Sequence, residues 1–95
     1  MQITVSNNAG IPNKYIRLLK WKIYGLNRKF KHLHYADVFV NKEGRGHTLY
    51  AATIRLGITG KDIIIKHKDT SPALVVSHTY KDAHRYLARL SRPYR

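Results

Sequence analysis

Two rhythms of apolar residues alternate along this chain. Ile3 and Val5 fall at every second position between Gln2 and Ser6, with Thr4 between them, the pattern of a half-buried strand. After Asn7, Asn8 and Gly10 the period changes. From Pro12 to Phe30 the apolar positions Tyr15, Leu18, Leu19, Ile23, Leu26 and Phe30, with Ile11 just ahead, recur at spacings of three, four and seven. That spacing stacks them along one side of a helix and predicts that this side faces a core. Pro12 suits the first helical turn, and Asn13 is a candidate cap if the helix starts one residue later. Fraying is expected between Lys31 and His34.

Period two then returns. In Tyr35 to Asn41, Ala36, Val38 and Val40 share one face, and Asp37 and Phe39 the other. The polar stretch from Asn41 to Gly46 reads as a hairpin loop. A third strand from about Thr48 to Ile58 points Ala52, Ile54, Leu56 and Ile58 inward and Arg55 outward. Thr59, Gly60 and Lys61 turn the chain into Asp62 to Lys68, where Ile63 and Ile65 oppose Ile64, Lys66 and Lys68. A second helix follows. Its start is open between Ser71 with Pro72 and a competing cap at Ser77. Val76, Tyr80, Ala83, Leu87 and Leu90 mark its core face, and Pro93 its end.

The elements predict an α+β fold: a four-stranded mixed β-sheet with two α-helices packed on one face, in the order β-α-β-β-β-α. A helix between the first two strands makes them parallel, and the two short connections after them make antiparallel hairpins. At 95 residues the chain is expected to form a single domain, 1–95.

Charge changes the picture from fold to partner. Eighteen Lys and Arg against five Asp and Glu leave a formal charge of +13. Self-repulsion on that scale destabilises a compact chain and points to a polyanionic partner, nucleic acid first and an anionic membrane surface second. The cations are interleaved with residues that pack, which suits a folded nucleic-acid-binding domain better than a disordered arm. The absence of cysteine excludes disulfide scaffolds, thiolate metal sites and thiol catalysis. No apolar run is long enough to span a membrane, and Met1 to Gly10 lack the features of a signal peptide, so a cytoplasmic protein is expected.

The cations gather on helix faces. Opposite the apolar stripe of the first helix stand Lys14, Arg17, Lys20, Trp21, Tyr24, Arg28 and Lys31. Two environments suit the aromatic pair: a neighbouring helix, or nucleic-acid bases stacked beside neutralised phosphates. The second helix repeats the design, with Lys81, Arg85, Arg89 and Arg92 opposite its core face and His78 beside them.

These residues resemble a family: the short form of the bacterial ribosome hibernation promoting factors and ribosome-associated inhibitors. The likeness spans the chain. It rests on Ile11, Tyr15, Leu18, Leu19, Lys22, Ile23, Leu26 and Phe30 in the first helix, on His47, Thr48, Ala52 and Thr53 at the third strand, and on Leu87, Ala88 and Arg89 in the second helix. Members usually open that helix with an acidic cap, an apolar residue, a tyrosine and two alanines; here Val75, Val76, Ser77, His78 and Thr79 stand there. The resemblance implies binding to small-subunit ribosomal RNA near the decoding region and translation silenced during stasis. It also implies that Lys22, Arg89 and Arg92 contact RNA. The full candidate set is Arg17, Lys20, Trp21, Lys22, Arg28, Lys29, Lys81, Arg85, Arg89 and Arg92. The expected partners are the small ribosomal subunit and its RNA, bound by a free monomer, with no membrane and no small-molecule substrate.

Two rivals share the composition. A RelE-like ribosome-dependent RNA-cleaving toxin needs a compact acid and base set around one phosphate, which six histidines and seven tyrosines offer in number. Such toxins usually end in strand and tail, and this chain ends in an amphipathic helix. A generic double-stranded RNA-binding domain lacks the first strand that Ile3 and Val5 predict. Neither His32 with His34 nor His78, Asp82 and His84 has the spacing of a recognised zinc site, so no metal and no cofactor are expected. The few carboxylates offer no pair for acid and base work, and the reading is not an enzyme.

Overall fold

Asn7 is where strand becomes helix. Its side chain accepts the amides of Ala9 (3.3 Å) and Ile11 (3.2 Å) and donates to the Ile11 carbonyl (2.8 Å), fixing the bend that Gly10, at φ 66°, completes. The computed structural model, which describes residues 1–44 and 48–90, has β1 (Gln2–Asn7), α1 (Asn13–Lys29), β2 (Leu33–Glu43), β3 (Leu49–Ile58), β4 (Lys61–Asp69) and α2 (Pro72–Leu90). The strands lie in the order β1-β2-β3-β4. β1 runs parallel to β2, and β2–β3 and β3–β4 are antiparallel, as the connection lengths require.

Alternation places Ile3 and Val5 beside Ala36 and Val38, then Leu56 and Ile54, then Ile63 and Ile65, on the sheet face that the helices cover. The register shifts between Leu33 and Tyr35, leaving His34 without a partner on β3. This bulge lets Leu33 and Ala36 both point into the core despite their odd spacing. Gly60, at φ 89°, closes the tight β3–β4 turn, with Ile58 opposite Lys61.

α1 packs along Ile16, Leu19, Ile23 and Leu26, and α2 along Val75, Val76, Thr79, Ala83 and Leu87. The α1 stripe corrects the sequence reading. Ile16 is buried, whereas Leu18 is 41% exposed and Tyr15 only half-buried. Successive helix residues point about 100° apart, so a helix seated on Ile16 and Leu19 turns Leu18 away from the sheet. Leu90, also expected inward, is 40% exposed in the last turn of α2.

The caps are corrected as well. Pro12 holds the cap position and Asn13 is already helical, with no side-chain cap bond. α1 closes cleanly: the Phe30 amide bonds to the Leu26 carbonyl (2.7 Å), and β2 begins at Leu33 without the expected fraying. Ser71, rather than Ser77, opens α2, its hydroxyl accepting the Leu74 amide at 3.4 Å. Val75, Val76 and Thr79, which depart from the family pattern, thereby fall on the buried face. The Pro93 stop, the tail with Tyr94 and Arg95, and the end of the loop expected after Asn41 lie outside the described residues.

Candidate nucleic-acid interface

α1 and α2 lie side by side on the sheet, and their outer surfaces meet in a groove. The α2 wall is built by Tyr80, Lys81, His84, Arg85, Ala88 and Arg89, residues three or four apart that share one face. The cavity they line is about 720 Å³. A second hollow on the α1 side is lined by Trp21, Lys22, Gly25, Arg28 and Tyr80. Tyr80 belongs to both, so the two form one surface.

Short contacts tie the helices together across it. The Lys22 ammonium sits 4.7 Å from the centre of the Tyr80 ring, a cation–π contact that keeps the charge in the groove instead of over the core. Lys29 Nζ is 3.1 Å from His84 Nε2. An ammonium only donates, so His84 accepts through that nitrogen. The His84 ring also meets Phe30 edge-on at 5.7 Å and Tyr80 at 6.1 Å. The His84 imidazole is thus held by a neighbouring cation and two aromatic rings.

Trp21 is 68% exposed, on the groove rim beside Lys22 and Arg28. Of its two expected environments, packing against a neighbouring helix is not the one observed. Among the described residues, Arg17, Lys20, Lys22, Arg28, Lys29, Lys81 and Arg89 pair with no carboxylate, while Arg85 lies 3.7 Å from Asp82. Unpaired cations around exposed aromatic rings are the chemistry of a surface that neutralises phosphates and stacks bases.

The structure gathers most of the sequence-derived set but not all of it. Trp21, Lys22 and Arg28 on α1 and Lys81, Arg85 and Arg89 on α2 line the groove. Lys29 reaches it through His84, and Arg17 stands one helical turn before Trp21 on the same side. Lys20 points off to the flank, about 100° from Trp21. Arg92 lies outside the described residues.

Four groove residues are absent from the sequence-derived set: Tyr80, His84, Ala88 and Gly25. Tyr80 read as core because its spacing fits the apolar stripe, yet it is half-buried and serves both surfaces. Gly25 carried a signal that went unused. A glycine inside a helix costs about 0.5–1 kcal/mol relative to alanine, and a Cβ built here would meet nothing within 4 Å. Packing within the protein does not require it. A bare backbone on a groove wall admits a close approach from outside.

No sequence-family model and no curated protein matches the chain in sequence. Solved structures do match it in fold. A ribosomal subunit interface protein from Coxiella burnetii superposes with a TM-score of 0.79 at 10% identity, over 95% of this chain and 97% of that one. The Protein Y N-terminal domain of Thermus thermophilus gives 0.71 at 14% identity, over 94% of each chain. At these identities the shared property is the fold, in agreement with the fold expected from the residue resemblance.

Proposed function

We propose that this chain is a single ribosome-binding domain of the hibernation-factor type. It binds small-subunit ribosomal RNA near the decoding region through the α1–α2 groove and silences translation by occupying that site, without cutting RNA. The observation that carries the reading is the groove itself, where unpaired cations from two helices surround Trp21 and Tyr80. Its fold neighbours include a ribosomal subunit interface protein, and the residue resemblance points the same way. Occupancy needs many phosphate contacts and no placed acid or base. His84 faces Lys29 and aromatic rings, and His78 stands against β4 beside His67. β1, parallel to β2, is the strand that a double-stranded RNA-binding domain lacks. No helix among the described residues is long and apolar enough to cross a membrane, which fits a cytoplasmic monomer acting on ribosomes.

The test is sedimentation with purified small subunits at moderate salt, together with a translation assay that follows messenger integrity. Co-sedimentation, reduced translation and intact messenger are expected. Failure to sediment would overturn the functional reading and leave the fold untouched. Cleaved messenger, abolished by His78→Ala or His84→Ala, would establish the toxin reading instead.

A further inference from the structure

Carboxylates are scarce in this chain, which makes their positions informative. Three of the five have cationic or phenolic partners on the sheet face away from the helices: Asp37 with Arg55, Glu43 with Lys68 and Asp62 with Tyr35, each at 2.7 Å. The other two, Asp69 and Asp82, converge on a pair of histidines where β4 passes beside α2. Two periodicities build the cluster. His67 and Asp69 are two apart on the helix-covered side of β4, in line with Ile63 and Ile65, and His78 and Asp82 are four apart on α2. Neither spacing alone resembles a metal motif, because the site is shared between a strand and a helix.

We propose that His67, Asp69 and His78 bind a divalent transition-metal ion of the zinc class. His67 Nε2 lies 2.9 Å from His78 Nδ1, and Asp69 Oδ2 lies 3.5 Å from His78 Nδ1 and 4.0 Å from His67 Nε2. The nearest point equidistant from the three atoms lies in their plane, about 2.05 Å from each, and an ion raised about 0.5 Å out of that plane to leave room for a fourth ligand would sit about 2.1 Å away, within the range of zinc–nitrogen and zinc–oxygen bonds. The rings meet edge to face, 81° apart with centres 4.8 Å apart, so ring nitrogens converge instead of ring faces stacking. On the opposite nitrogen of His67, Nδ1, Asp82 Oδ2 stands 3.7 Å away. At that distance the carboxylate is an ion-pair neighbour; drawn in to hydrogen-bond distance it would fix the tautomer and orientation of a ligating imidazole, as carboxylates do behind histidine ligands in metal sites.

The donor set selects the ion. Two imidazoles and one carboxylate favour zinc and its neighbours over magnesium or calcium, which take oxygen ligands. Three protein donors leave a fourth position for water. Asp69 and Asp82 offset part of the repulsion that a protein of charge +13 presents to a cation, with Arg85 3.7 Å from Asp82 as the neighbouring positive charge. The bound ion joins β4 to the N-terminal half of α2 and so steadies the helix that carries Lys81 and Arg85. Small domains gain stability from such links. The proposal stands independently of the ribosomal reading.

The experiment uses the whole chain, stripped with a chelator and then freed of it. Zn²⁺ is titrated by calorimetry and Co²⁺ by its visible absorption. One saturable ion per chain and a higher melting temperature with Zn²⁺ are expected. His67→Gln and His78→Gln should each abolish binding, Asp82→Asn should weaken it about 10- to 100-fold, and His34→Gln should leave it unchanged. Absence of saturable binding, or binding that survives both His67→Gln and His78→Gln, overturns the site. Should those variants fail to fold, NMR of the unsubstituted protein decides. Paramagnetic broadening by Co²⁺ centred on His67, Asp69 and His78 supports the assignment, and broadening centred elsewhere refutes it.

Discussion

The two surfaces of this small protein treat their charges in opposite ways. On the helical surface Lys22, Arg28, Lys29, Lys81 and Arg89 face the groove with no carboxylate partner among the described residues, and Trp21 stands beside them. On the open face of the sheet Arg55 pairs with Asp37 and Lys68 with Glu43, while Tyr35 lies across Gly57 and donates to Asp62. A Cβ at Gly57 would run into that ring. Apolar residues are exposed there too, with Phe39 at 43% and Ile64 at 61%. Exposure alone therefore does not mark a binding surface. What separates the faces is whether exposed rings and unpaired cations coincide, since an ion pair already solvates its own charges and leaves little for a phosphate.

The largest expected effect tests that contrast directly. Reversing Lys81 and Arg85 together to Glu should weaken ribosomal RNA binding by roughly 30-fold near physiological salt and lower the salt slope by about 1.4–1.8. Reversing the paired Arg55 and Lys68 on the sheet face should change neither quantity much. Titrations of labelled RNA at several salt concentrations read both, and equal losses from the two faces would dissolve the distinction.

Next come the exposed aromatics. Trp21→Ala is expected to cost about 1–3 kcal/mol of RNA affinity with little change in the denaturant midpoint. Phe39→Ala, which removes an exposed ring from the sheet face, should leave affinity alone. If Trp21→Ala unfolds the protein, its ring has a packing role that its exposure does not show.

Gly25→Ala sharpens the comparison further because its two effects have opposite signs. The free protein should gain about 0.5–1 kcal/mol, since alanine is the better helix former and the space is open. RNA binding should weaken as the added methyl holds the ligand off the groove wall. A stabilised protein with unchanged affinity would mean that nothing approaches α1 at this point.

The smallest effect belongs to the sheet face. The hydrogen bond to Asp62 holds the Tyr35 phenol above the ordinary tyrosine range, aided by desolvation and the charge of Asp62 and opposed by Arg55. A raised folded-state value means stability that is fully present below the unfolded value, about 10, and is lost as pH rises through the folded one. Denaturant midpoints measured between about pH 9 and 11 should fall less steeply for Tyr35→Phe than for the unsubstituted chain. Identical slopes would show that the phenol contributes nothing to the alkaline limit.

Much of this was legible in the residues. Element order, parallel and antiparallel pairing, and the inward sets Ala36, Val38 and Val40 or Ala52, Ile54 and Leu56 follow from local periodicity and connection length. Strand faces were read without error because alternation has only two outcomes. Helix faces were less secure: a stripe about 100° wide leaves neighbours such as Ile16 and Leu18 to be sorted by the exact rotation of the helix on the sheet. The cations of the candidate site were visible as helical faces, and the charge of the chain already pointed to a polyanion.

The meetings between elements far apart in sequence follow from no local pattern. Lys22 reaches Tyr80, Lys29 reaches His84, and His67 with Asp69 reaches His78 because two helices and an edge strand share one layer boundary. Local patterns fix which side of an element faces inward, because that depends on periods of two and 3.6 residues. They cannot fix the offset of one element along another, which is set by the packing of the whole core. On that offset depend both the groove and the histidine cluster beside β4.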